Sequence, residues 1–246
     1  MNPGYLWSLA ALSGATFLGA STQRISGVGF ALVASPFLVM ILGPFNGVIV
    51  VNVFGTLTAL LVFAQVFRQV EYRRVLAMMI PAVAAVIPGA WVAANVPSNV
   101  LSILIGTMVI LALAASLTVR EASFLQGRFG AAAAGLISGF MNVTAGVGGP
   151  AVTAYALATR WKHVAFATSI QLYFACVGLA SLAAKHSLPA LDAWQWLSCG
   201  AALVSGIVLG NLLGPRIPAR VSRAAVIVLA FLGAIMLLLK GVIALT

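Results

Sequence analysis

Two clusters of glycine and polar residues interrupt long apolar stretches of this chain, and they are the best candidates for a functional site. The first runs Gln23-Arg24-Ile25-Ser26-Gly27-Val28-Gly29, and the second runs from Asn142 through Thr144 to Gly149. Glycine-rich breaks in a helix expose the N-terminus of the half-helix that follows. Its free N–H groups and positive dipole end attract anions. The clusters therefore predict an anion site, although close helix packing would also use such glycines.

Polar side chains near the breaks fit the same chemistry. Arg24 lies inside an apolar stretch, where a guanidinium without a partner is costly. Because the three acidic residues fall in predicted loops, we expect an anionic substrate to balance Arg24, with snorkelling to the membrane surface as the alternative. Asn52 and Gln171 could bind the substrate or bond between helices. The expected substrate-binding residues are Gln23, Arg24, Ser26, Gly27, Gly29, Asn52, Asn142, Thr144, Gly146, Gly148, Gly149 and Gln171.

The composition places these stretches in a membrane. The 246 residues are 63% hydrophobic and 7% charged, with a mean hydropathy of +1.14, whereas about a quarter of a soluble domain is charged. Only helices or closed barrels satisfy every backbone group in lipid, and the long apolar runs favour helices over the short alternating segments of a barrel. The net charge of +10 comes from short loops, which does not indicate nucleic-acid binding. We predict an all-α polytopic membrane protein.

The two halves of the chain resemble each other. Gly27-Val28-Gly29 reappears 119 positions later as Gly146-Val147-Gly148, and the same offset places Asn52 on Gln171. Several landmarks in the same order indicate an internal duplication. We predict two repeats of about four helical segments each: a first transmembrane repeat over 1–119, a linker over 120–129 and a second transmembrane repeat over 130–246.

Loop charge predicts that the repeats are inverted. Basic residues concentrate in loop 68–74 of the first half but in loops 160–163 and 214–223 of the second, so corresponding loops prefer opposite sides of the membrane. If linker 120–128 and loop 160–163 are both cytoplasmic, segment 130–159 must enter and leave on the same side, and by symmetry so must segment 4–42. We therefore expect broken or hairpin helices that turn at the glycine clusters, with both termini outside the cytoplasm.

The predicted membrane segments hold no acidic residue, which limits the mechanism. Proton-coupled carriers usually keep an embedded Asp or Glu, whereas a negative cell interior favours anion exit by about 2.3 kcal/mol per charge per 100 mV. We expect alternating access driven by the membrane potential, with ion coupling left open. Without a catalytic or metal-binding motif, we expect no enzyme, cofactor or metal site. An anion channel and a non-transporting membrane assembly factor are the alternatives.

The second cluster and the residues before it resemble a known family. The run Gly135-Leu136-Ile137-Ser138-Gly139, followed by Gly146-Val147-Gly148-Gly149-Pro150, is similar to the TauE/SafE sulfite exporter family, and Gly19 and Gly27-Val28-Gly29 form a weaker echo. The resemblance implies export of sulfite or an organosulfonate such as sulfoacetate by a multi-pass protein of the bacterial inner membrane. The expected partners are this anion and the lipid bilayer, and a homodimer is left open.

Overall fold

The structure, a computed structural model, describes residues 3–26, 30–118, 126–189 and 191–245. These residues contain no strand, so the all-α prediction is confirmed. They form ten α-helices: α1 Pro3–Ser26, α2 Phe30–Leu42, α3 Pro44–Val66, α4 Tyr72–Asn95, α5 Ser98–Thr118, α6 Gly127–Ala145, α7 Gly149–Ala158, α8 His163–Lys185, α9 Ala193–Leu213 and α10 Ala219–Ile243.

The long helices have the length and composition of membrane spans, for which about 20 apolar residues are needed. Five such segments are found among the described residues: Pro44–Gln69, Tyr72–Asn95, His163–Lys185, Ala193–Leu213 and Arg220–Ile243. Large apolar side chains are exposed on them, as Ile80, Ile87 and Trp91 are on α4. A bilayer accommodates these side chains and water does not, so the polytopic membrane protein is confirmed.

The helices break at both predicted glycine clusters. α1 ends just before residues 27–29, which lie outside the described part of the chain, and α2 then folds back, because Gly19 of α1 lies against Phe30 and Ala34 of α2. In the second half Gly146 closes α6 with a φ of +74°, a left-handed conformation that favours glycine. Each half therefore begins with a long helix followed by a short one.

α4 and α6 pack closely and run in the same direction. Gly135 of α6 lies against Met78 of α4, and Gly139 lies one turn further along against Ala82. A β-carbon at either glycine would run into a backbone carbonyl oxygen of α4, so the small residues set the distance between the two helices. This contact joins the fourth helix of the first half to the first helix of the second half.

The corresponding contact on the other side of the molecule joins α1 and α9. Gly206 of α9 lies against Phe17 and Ala20 of α1, and Gly210 lies against Arg24. These contacts show that α1 and α9 also run in the same direction. In both pairs, therefore, the first helix of one half packs against the fourth helix of the other half.

α3 and α8, which occupy the same position in the two halves, run antiparallel at the centre. Thr56 lies against Gly178 near the middle of both helices. Beyond the end of α3, the Glu71 backbone N–H donates to Ser169 Oγ, near the beginning of α8, over 2.9 Å. Asn52 of α3 and Gln171 of α8, which occupy corresponding positions in the two halves, therefore lie on helices that face each other.

α5 and α10 form a second antiparallel pair of corresponding helices. Gly106 of α5 lies against Ala234 of α10, and Asn99 Nδ2 at the start of α5 donates to the carbonyl oxygen of Ala244, just after α10, over 3.4 Å. Antiparallel pairing of corresponding helices is the arrangement that an inverted repeat would produce. The inverted repeat itself, like the division into 1–119, 120–129 and 130–246, stays a prediction.

Most basic residues lie at one end of the bundle, as the helix directions require. We call it the basic end and define it by Arg68, Arg73, Arg74, Arg128, Arg160, Lys162, Arg216 and Arg220. The opposite end holds the beginning of α1 and the end of α10. There Asp192 caps α9, and the backbone N–H of Gln195 and the Tyr5 hydroxyl lower the pKa of its carboxyl. The positive-inside rule predicts that the basic end is cytoplasmic.

Candidate functional site

A cavity lies in the middle of the bundle, where the two helix breaks meet α3 and α8. It has about 600 Å³ of empty space, its open mouth included. Seven of the predicted site residues line it: Gln23, Asn52, Asn142, Gly146, Gly148, Gly149 and Gln171. The structure therefore brings together most of the residues that were predicted as a site from two distant parts of the sequence.

Two half-helices begin at this cavity. Phe30 and Ala31, the first residues of α2, line it, and so do Gly148 and Gly149 at the beginning of α7. The first backbone N–H groups of a helix have no acceptor within it and carry the positive end of the helix dipole. Pro150 in the first turn of α7 has no N–H to satisfy, which suits that position. The two termini provide donors and partial positive charge without any cationic side chain.

A buried amide network holds the second break in place. Asn142 Nδ2 donates to Asn52 Oδ1 over 3.0 Å and to Ser181 Oγ over 3.1 Å. Asn52 Nδ2 donates in turn to the backbone carbonyl oxygen of Asn142 over 3.4 Å. The network connects α6 to α3 and α8 at the wall of the cavity, so Asn142 both lines the site and positions the turn that follows it.

Two buried polar atoms at the cavity have no hydrogen-bond partner within the described part of the chain. Thr56 Oγ1 and Gln171 Oε1 belong to side chains that are 4% and 7% exposed, respectively. Gln171 Nε2 is satisfied by the Ala167 carbonyl oxygen at 3.1 Å. Because buried polar atoms are nearly always paired and are costly when they are not, these two atoms indicate where a bound ligand or water would be contacted.

Some predicted site residues lie elsewhere or cannot be placed. Thr144 points away from the cavity: its hydroxyl donates to the Phe140 carbonyl oxygen over 2.6 Å and contacts Met108 of α5. Gly27 and Gly29 lie outside the described residues, and the side chain of Ser26 is not described either.

Arg24 does not line the cavity. Its side chain is exposed, and its Nε donates to Oδ1 of Asn211 on α9. α9 ends two residues after Asn211, at Leu213, next to the basic end. Arg24 thus has a polar protein partner near the basic end, and its snorkelling to the membrane surface stays a prediction.

Sequence reasoning missed several lining residues on α8. Phe174 and Gly178 line the cavity together with Gln171, and Ser181 completes the amide network. Phe174 and Gly178 follow Gln171 at intervals of three and seven residues, so they lie on the same helix face. Following that face from Gln171 would have identified them.

Comparison with known proteins identifies the family of this chain. Neither a search of curated proteins nor one of solved structures found a match. A family model described as "Sulfite exporter TauE/SafE" matches residues 12–237, which include all the described residues that line the cavity. The chain belongs to the TauE/SafE sulfite exporter family.

Proposed function

We propose that this protein exports a small anion, sulfite or an organosulfonate such as sulfoacetate, across the bacterial inner membrane. The observation that carries the proposal is the central cavity in which two half-helix N-termini face buried amide and hydroxyl groups. Membership of an exporter family supports it. No enzymatic step is proposed, and the membrane potential or a coupled ion supplies the driving force.

The substrate's anionic oxygens would accept hydrogen bonds from the N–H groups at the two breaks and from the Thr56 hydroxyl. The amides of Gln23, Asn52, Asn142 and Gln171 would form the polar wall around them. Rocking of one repeat against the other would open the cavity to each side in turn. Ser26, Gly27 and Gly29 at the first break remain candidates for the same site.

Uptake of labelled sulfite and small organosulfonates into proteoliposomes under an imposed potential tests this proposal. A carrier gives saturable uptake that follows the potential and shows counterflow with unlabelled substrate. Uptake that rises linearly with concentration, without counterflow, would instead indicate an anion channel. Failure to transport any of these anions would favour a membrane assembly factor and contradict the proposal.

Thr56→Val should weaken transport because it removes an unpaired cavity hydroxyl and keeps the shape of the side chain. A hydrogen bond to a charged group contributes roughly 1.5–3 kcal/mol, so we expect the half-saturating substrate concentration to rise about tenfold or more. The matched control is Thr58→Val. Thr58 is equally buried on α3, but its hydroxyl donates to the Phe54 carbonyl oxygen outside the cavity. Equal kinetics for both variants would remove Thr56 from the site.

Arg24→Gln should leave transport within about twofold of the wild type, because substitutions at exposed positions away from a site usually have small effects. Glutamine can still donate to Asn211, so packing of α1 on α9 is retained. Initial uptake rates at equal amounts of reconstituted protein measure the effect. Loss of transport in a variant with wild-type thermal stability would return Arg24 to the substrate site.

A further inference from the structure

We propose that this protein has a second anion-binding site, at the end of α8 opposite the basic end, where the Lys185 ammonium binds the anion after it leaves the central cavity. This inference rests on the proposed function, because the ligand is the exported anion, but the site is a different one. Lys185 is 8% exposed, and its Nζ has no hydrogen-bond partner within the described part of the chain. A lysine that snorkels keeps its ammonium in water, whereas buried charges are normally paired. The Lys185 ammonium therefore needs a counter-charge.

The described residues do not supply that counter-charge. Only two of them are acidic, Glu71 and Asp192. Glu71 forms a salt bridge with Arg74 at the basic end, over 3.3 Å. Asp192 lies at the same end of the bundle as Lys185, but its carboxylate caps α9 through the Gln195 backbone N–H and forms no salt bridge with Lys185. A small anion from outside the chain would balance the charge.

The proposed site lies in line with the cavity along one face of α8. Gln171, Phe174 and Gly178 line the cavity. Ser181 and Lys185 continue the same alternation of three and four residues, which keeps all five on one helix face. Seven residues separate Gly178 from Lys185, a rise of about 10 Å along the helix. Because α8 begins at the basic end and ends at the opposite one, an anion that moves from the cavity towards that end would follow this face to Lys185.

The Phe45 ring covers the ammonium in this structure. Lys185 Nζ lies 5.0 Å from the centroid of that ring. Phe45 is near the beginning of α3, seven residues before Asn52 and on the same helix face, so the contact bridges α3 and α8 about 10 Å along α3 from Asn52. The face of an aromatic ring attracts a cation but carries no net charge, so it is a weaker partner than an anion. An anion that reaches Lys185 displaces the ring, and the ring returns when the anion leaves.

Lys185→Met tests the site, because methionine has a similar length and no charge. Exchange of labelled sulfite is compared in right-side-out membrane vesicles, which present the Lys185 end to the medium if the basic end is cytoplasmic, and in inverted vesicles, which present the basic end. We expect the half-saturating sulfite concentration to rise about tenfold in right-side-out vesicles and to stay within about twofold in inverted vesicles. A residue with only a structural role would alter both values.

Lys240→Met is the matched control at the same end of the bundle. Lys240 is exposed on α10, and its Nζ donates to the Met40 carbonyl oxygen over 2.8 Å, so both half-saturating concentrations should stay near the wild-type values. The thermal unfolding midpoint of Lys185→Met should be at or above that of the wild type, because an unpaired buried charge is removed. An equal change from both sides, a larger change in inverted vesicles, or no change beyond that of Lys240→Met would overturn the inference and leave the proposed function standing. Wild-type vesicles that exchange neither sulfite nor an organosulfonate would overturn both.

Phe45→Leu should have the opposite effect, because it removes the ring that competes with the anion for the ammonium. We expect the half-saturating sulfite concentration in right-side-out vesicles to fall about threefold or more. In the double variant with Lys185→Met the ring has no ammonium to cover, so Phe45→Leu should then change nothing further. An unchanged value in the single variant, or the same fall in the double variant, would contradict the role of the ring.

Discussion

Replacing Asn142 by aspartate should reduce anion transport at least about 100-fold, the largest functional effect expected of any substitution here. The carboxylate would stand in the wall of the cavity at which both half-helices begin, where it would oppose the positive potential that the substrate needs. It would also lose the donor that now bonds Asn52 Oδ1 and Ser181 Oγ. Initial uptake rates of labelled sulfite or alkyl sulfonate in proteoliposomes measure the loss.

Asn95→Asp is the matched control for this variant. Asn95 is exposed at the end of α4, a helix of which no described residue lines the cavity, and its amide donates to the Trp91 carbonyl oxygen one turn earlier. The same chemical change there should leave uptake near the wild-type rate. If Asn142→Asp transports as well as Asn95→Asp at equal reconstitution, neither the cavity nor its half-helix termini bind the anion.

Gly139→Ala should cause the largest loss of stability for the addition of one methyl group. Its β-carbon would meet the backbone carbonyl of Ala82 in the α4–α6 contact, and a backbone cannot move aside as a flexible side chain can. Overpacking of this kind typically costs about 1–3 kcal/mol, and a contact with backbone belongs at the upper end of that range. The midpoint of thermal unfolding in detergent should fall clearly.

Gly200→Ala provides the comparison because it is also in a helix, on α9, but a β-carbon there meets no atom within 4 Å. Alanine is a better helix former than glycine by about 1 kcal/mol, so this variant should melt at or above the wild-type temperature. The two substitutions are identical and the predicted shifts have opposite signs. Equal midpoints would mean that the α4–α6 contact does not limit stability.

The architecture of the site could be predicted because the sequence features that form it, the glycine clusters and the isolated amides, are local and occur in both halves. The glycine clusters mark where α1 and α6 end, whatever packs around them. Asn52 and Gln171 occupy the ninth position of α3 and α8, respectively, so a duplication detected in the sequence also pairs them in space. Polar residues in an otherwise apolar helix are costly unless they face the protein interior, which is why both amides line the cavity.

The positions of Arg24 and Thr144 depend on tertiary structure and could not be deduced in the same way. Hydropathy shows that Arg24 is embedded in an apolar stretch, but only the parallel packing of α1 on α9 reveals that this part of α1 reaches the basic end. Thr144 is two residues after Asn142, which turns it about 200° around α6 and towards α5. A helix break in the sequence predicts roughly where the site lies. The orientation of each helix about its own axis determines which side chains face the cavity.

The exchange of helices between the halves also has a consequence for how the protein is made. α1 and α4 find their closest partners in α9 and α6, which the ribosome synthesises later. Domains of most large proteins fold as units in order of synthesis. In this chain, however, α1 and α4 enter the bilayer before α9 and α6 are made, so the faces of α1 and α4 that later contact the glycines of α9 and α6 are at first exposed to lipid. Separate expression of 1–118 should therefore yield an inserted but loosely packed fragment, and co-expression with 126–246 should restore a protease-resistant whole.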